Sequence, residues 1–167
     1  MNREYMAPFM ESIVDFFSSM LSSKAEQVRI CLDWTGFEAD TVCAIIGISG
    51  PVRGSVLLCM STETAKSIVC GMLNSDECSD ELLVDGVAEA VNIIAGGAKT
   101  RLAQNFTKPI GLGLPNVIRG ADFCVDSFSH SVWTEAAFES DLGPFRLQVT
   151  LEQVDKKIGS HDESAYC

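Results

Sequence analysis

The stretch DELLVDGVAEAVNIIAGGAKTRLAQ, from Asp80 to Gln104, decides how the whole chain is read. An α-helix turns by about 100° per residue, and on that wheel Asp85, Glu89, Asn92 and Gly96 fall within a window of about 60°. Leu83, Val87, Ala90, Ile94 and Ala98 occupy the opposite side. Val84, Ala88, Val91 and Ala95 make one flank apolar, and Leu82 and Ile93 the other. A helix apolar nearly all round is a core helix. The sequence therefore predicts one long helix over 80–104, buried except along a stripe of two acids, one carboxamide and a glycine. Glu89 and Asn92 are three apart, so their side chains stand together on that stripe. Gly96 and Gly97 each cost the helix about 1 kcal/mol relative to alanine. They also lower the surface just beyond Asn92, where another backbone could come close.

Taken alone, a carboxylate and an amide three apart also fit the solvent face of a scaffold helix. The flanking sequence weighs against that. The segment Tyr5-Met-Ala-Pro-Phe-Met-Glu-Ser-Ile-Val-Asp-Phe-Phe lies upstream, and Gly111-Leu-Gly-Leu-Pro-Asn-Val-Ile-Arg-Gly120 lies downstream. In this order with Asp85-x-x-x-Glu89-x-x-Asn92, the chain resembles the CheC/CheX/FliY phosphatases of bacterial chemotaxis, and CheX most among them. The likeness extends over about residues 4–154. It implies a phosphatase that removes phosphate from a CheY-like response regulator, with Glu89 and Asn92 as the catalytic pair. Asp85, a signature position, and Gly96 would lie against the partner. A homodimer is implied as well. Two-site members of the family carry a second Glu-x-x-Asn on their first helix. Here Glu11 is followed at plus three by Val14, with Asp15 next. The amide is missing, so that site is not carried over, and Glu11 and Asp15 are expected to be solvated.

The chain has 167 residues, enough for one domain that buries about 70% of its unfolded surface. The domain is expected over 1–158, followed by a polar tail over 159–167. Twelve basic residues against 23 acidic ones give a formal charge of −11. Nucleic acid and anionic membranes need positive patches, so neither is an expected partner. A partner with a basic site is permitted. No apolar run is long enough to span a bilayer. The opening MNREYM lacks the basic-then-apolar layout of a signal peptide, so a cytoplasmic location is expected. The seven cysteines are odd in number and none stand in C-x-x-C spacing. Cys31, Cys43, Cys59, Cys70 and Cys124 sit among apolar residues and are expected as reduced core thiols.

Along the chain, Met6–Leu21 reads as a helix with Pro8 in its first turn. Phe9, Ile13, Phe16, Phe17 and Met20 form its core face. Strands are expected at 28–33, 41–49 and 53–60, the last two as a hairpin about Gly50-Pro51. Ser61 to Thr64 offers an N-cap for a helix running to about Leu73. After the motif helix, Phe106–Gly120 reads as a connecting loop. Strands follow at 121–127, 131–138 and 145–154. Strands in runs indicate an α+β fold, a mostly antiparallel sheet with long helices packed on it. The two halves look like a weak repeat of one helix plus three strands.

The sequence offers no nucleotide loop and no metal cluster, and its two histidines, His130 and His161, lie far apart. This scarcity suits the reaction that the resemblance implies. A receiver domain brings its own aspartyl phosphate, Mg²⁺ and lysine, so no cofactor of this chain's own is expected. Phosphoryl transfer relies on positioning and charge stabilisation, and an amide can orient the attacking water. An asparagine accepts and donates at once. The resemblance gives Asn92 the water and Glu89 the receiver's lysine. The alternative is a receiver-binding module without hydrolysis, akin to the middle domain of the flagellar switch protein FliM.

Overall fold

The computed structural model describes residues 3–32, 40–121, 125 and 132–154. Its described elements are three helices and seven strands in an α+β arrangement. They run α1 (Arg3–Met20), β1 (Ala25–Cys31), β2 (Thr41–Ser49), β3 (Val52–Ser61), α2 (Thr62–Leu73), α3 (Asp80–Leu102), β4 (Gly111–Leu112), β5 (Asn116–Gly120), β6 (Thr134–Ser140) and β7 (Phe145–Gln153). A short 3₁₀ turn, Ala103–Asn105, finishes α3. No described helix is long and apolar enough to cross a membrane.

The strands form one sheet in the order β1-β6-β7-β3-β2-β4, with β5 also pairing with β2. Every pairing is antiparallel. The hairpin expected about Gly50-Pro51 is the β2–β3 pair, in register from Thr41 opposite Ser61 to Ile48 opposite Gly54. The expected halves correspond to α1-β1-β2-β3 and α3-β5-β6-β7, and they are interleaved. The first strand of each half leaves its own half and pairs with the middle strand of the other, β1 with β6 and β5 with β2.

The helices cover one face of the sheet. Strand alternation sends Val42, Ala44, Ile46 and Ile48 of β2 toward them, with Phe145, Leu147, Val149 and Leu151 of β7. Burying each of these side chains other than Ala44 is worth about 1.5–3 kcal/mol. Phe17 of α1 stacks on Phe145, which stacks on Phe138, with centroids 4.9 and 5.0 Å apart. The opposite face is apolar at Cys43, Leu57 and Cys59, with Trp133 packed against them. Beside these lies a charged group: Glu135, only 2% exposed, accepts from Gln148 at 2.8 Å and faces Arg29 at 3.4 Å.

Several expectations are corrected. Helix α1 starts at Arg3, so Pro8 lies inside it rather than in its first turn. Met20 ends that helix 46% exposed, off the core face that Phe17 and Leu21 keep. The stretch 111–120 is not wholly a loop. Its glycines and Pro115 hide β4 and β5, which complete the outer edge of β2. The strand expected at 121–127 falls mostly outside the described residues, as do His130, His161, Cys124 and the tail. Cys43 and Cys59, expected as separate core thiols, stand directly opposite in the β2–β3 register with their sulfurs facing each other. Sequence separation could not show that register.

Candidate functional site

Helix α3 is fixed at both ends. Ser79 caps it, its Oγ accepting from the Leu82 amide at 3.2 Å. Asp80 and Glu81 lie in its first turn and Lys99 and Arg101 in its last, each sign complementing the helix dipole. Leu83, Val87, Ala90, Ile94 and Ala98 are all buried, as the wheel requires. Two further contacts set the depth of the helix. A Cβ on Gly86 would lie 2.5 Å from Val69 of α2, and one on Gly97 would lie 2.8 Å from the Ser12 hydroxyl of α1. Glycine at these two places lets three helices pack closely. Gly97 therefore serves an internal contact, whereas a Cβ on Gly96 would meet nothing within 4 Å.

The stripe opposite the core is open. Asp85, Glu89 and Asn92 are exposed and Gly96 half-buried. The Asn92 Nδ2 donates to Glu89 Oε2 at 3.5 Å, a long and easily exchanged bond. In this arrangement the Asn92 Oδ1 has no role in that bond and is left to accept a hydrogen bond from elsewhere. The four positions chosen from the sequence thus lie along one accessible line, with the carboxylate and the amide touching.

The first helix makes a contact that its sequence did not show. Glu11 and Asp15 are exposed, but they grip Arg101 of α3. The guanidinium donates to Glu11 Oε2 at 3.0 Å, to Asp15, to the Ser12 hydroxyl at 3.1 Å and to the Gly97 carbonyl at 3.2 Å. Asp15, and then Glu11, hold the Arg101 proton above its ordinary value. Glu11 is thus committed to an internal partner, and Val14 stands beside it 51% exposed. The available signal was the spacing of Glu11 and Asp15, one turn apart and able to bracket one guanidinium. What was missing was the long-range pairing with Arg101. Sequence reasoning also missed Arg119 of β5, whose guanidinium lies 3.4 Å from Asp80 at the start of α3.

Burial, and then the neighbouring Cys70, push the Cys78 thiol up, which makes it a poor nucleophile. Among the described residues no group of three or more His, Cys, Asp or Glu side chains could hold a metal ion.

Comparison with known proteins gives a consistent result. Residues 42–135 match the family described as "Chemotaxis phosphatase CheX". The "CheY-P phosphatase CheX" of Thermotoga maritima is 30% identical over 110 residues, covering 61% of this chain and 70% of that protein. The crystal structure of a chemotaxis protein CheX from Desulfovibrio desulfuricans shares the fold with a TM-score of 0.79. It is 23% identical and covers 89% of this chain and 99% of that one. The CheX of a CheX–CheY–BeF₃–Mg²⁺ complex from Borrelia burgdorferi gives 0.74 at 23% identity, over 89% and 98% of the two chains. The match takes in the whole of α3 and the strands that support it, and on that ground the chain belongs to the CheX family.

Proposed function

We propose that this protein is a phosphatase of phosphorylated CheY-like response regulators, hydrolysing the aspartyl phosphate of the receiver domain. The observation that carries the reading is the contact between Glu89 and Asn92 on the exposed stripe of a capped core helix. The Thermotoga relative bears the name of that activity, and the Borrelia relative is seen with CheY.

The receiver supplies the Mg²⁺ and the lysine that neutralise the phosphoryl group. What this chain adds is one positioned amide. Asn92 Oδ1 accepts a hydrogen bond from the attacking water and so aims the water's lone pair at phosphorus, in line with the bond that breaks. Its Nδ2 turns from Glu89 to a phosphoryl oxygen when Glu89 takes the receiver's lysine as partner. A charged group one turn away fixes register through complementarity. Asp85 and Gly96 continue the contact, Gly96 leaving the partner's backbone room to approach. Helix α1 adds no second centre, since Glu11 is held by Arg101 and no amide follows it. The chain itself contributes no metal to the reaction.

The deciding experiment is single-turnover phosphate release from phosphorylated receivers of the same genome, with wild-type protein in excess. At least one receiver should lose phosphate faster than it does alone. If every receiver that binds keeps its intrinsic rate, the protein is a binding module.

Assembly follows from the sheet. Strand β1 is an edge with exposed Val28 and Ile30, 58% and 42% accessible. Such an edge is a template for pairing with another chain, and a homodimer is expected. Light scattering at micromolar concentration should give twice the chain mass, and a monomer there would contradict it.

A further inference from the structure

Leu114 is 87% exposed, more than any other large hydrophobic residue among those described. It is not on a loose loop. Residues on both sides of it, in β4 and β5, pair with β2. The Gly113 amide donates to the Gly47 carbonyl at 2.9 Å, and the Asn116 Nδ2 donates to the Leu114 carbonyl at 3.5 Å. Pro115 follows, fixing one more backbone angle. The fold thus holds an apolar side chain out in water on a fixed mount.

Its position relative to α3 follows from the pairing. Asp80, at the start of α3, meets Arg119, which pairs with Val42. After α3 ends, the chain returns through buried Ile110 to Gly111, which pairs with Ser49. The helix therefore travels along β2 from Val42 toward Ser49. Gly47, where Leu114 bulges out, is about 17 Å along that path at roughly 3.3 Å per strand residue. At 1.5 Å per helical residue this is about eleven residues into α3, the level of Asn92. The flanks of α3 are also distinguishable. Gly86 and Gly97 face α2 and α1. Asn92, with Ala88 and Lys99, leans to the other flank, the one bordered by β5. A partner seated on Glu89 and Asn92 overhangs the sheet edge that carries Leu114. A standard interface covers about 800 Å² per partner, enough to span both.

We infer that Leu114 is a docking residue for the receiver domain, inserting into an apolar patch beside the receiver's phosphorylated aspartate. The charged stripe sets orientation and Leu114 adds apolar contact at its rim. This inference rests on the phosphatase reading, and it assigns Leu114 no part in the chemistry.

The test compares wild type, Leu114→Ser and Leu114→Met with one phosphorylated receiver, by titration and by single-turnover hydrolysis at saturation. Leu114→Ser should bind about tenfold more weakly and hydrolyse at saturation within about twofold of wild type. Leu114→Met should restore binding. Thermal unfolding of all three should coincide, because the side chain has almost no internal contacts. Unchanged affinity of Leu114→Ser beside a wild type that binds and hydrolyses overturns this inference and leaves the phosphatase reading intact. A wild type that binds no receiver overturns both. Loss of self-association in Leu114→Ser, with receiver affinity unchanged, assigns the leucine to a second copy of this chain and also overturns it.

Discussion

Asn92→Ala is expected to bind a phosphorylated receiver almost as wild type does and to hydrolyse it about 10²–10³-fold more slowly. The magnitude is that of removing one preorganised hydrogen-bonding group from a transition state. The amide acts on the attacking water, an interaction made mainly in the transition state, so its loss lowers the rate with little change in affinity. The side chain is exposed and alanine is a good helix former, so the fold should survive. Glu89→Ala is the contrasting variant. Its proposed partner is a lysine on the receiver, and truncating one member of a desolvated charge pair weakens binding by about 30-fold or more. Parallel titration and single-turnover assays separate the two. A wild-type rate in Asn92→Ala would remove the water-positioning role. Asn92→Asp is a useful third variant, because it keeps the acceptor and loses the donor.

The second large effect is on stability. Gly54→Ala should destabilise the protein by about 3–5 kcal/mol, near the upper end for single substitutions. Gly54 lies in β3, flanked by Ile48 of β2 and Leu151 of β7. Its φ is +154°, a conformation that L side chains rarely adopt, and a Cβ there would lie 1.8 Å from the Thr150 carbonyl oxygen. No side-chain adjustment relieves that overlap, since the atoms met, the Thr150 carbonyl and the Leu151 Cα, are main chain of β7. The β3–β7 ladder would have to part. Denaturant unfolding measures the effect, with a midpoint well below wild type expected. A change under about 1 kcal/mol would show that the sheet yields more readily than its pairing indicates.

The features legible in the sequence are those governed by local periodicity. The wheel of α3 separates Leu83, Val87, Ala90, Ile94 and Ala98 from Asp85, Glu89 and Asn92, and the structure places the first group inside and the second outside. Alternation of Phe145, Leu147, Val149 and Leu151 marks β7 in the same way. What was not legible depends on pairing between distant segments. Strand β5 reads as a loop, because Gly120 and the glycines and proline before it carry the punctuation of a turn while β2 supplies the ladder. The Arg101 clasp joins residues 86 and 90 positions apart, beyond any window of periodicity. The facing of Cys43 and Cys59 depends on a register that only the folded hairpin sets.

The interleaving of the halves has a consequence for how the chain folds. Strand β1 is made early in synthesis, yet its ladder partner is β6, and Arg29 meets Glu135 across 106 residues. It cannot be paired within the protein until nearly the whole domain has left the ribosome. Non-local pairings of this kind pay their loop-closure entropy before any contact repays it, which slows folding. The β2–β3 hairpin is local and available first, so it is the natural seed. β1 is then a late addition, and until it docks the growing chain leaves the edge of β6 unpaired and open to its neighbours.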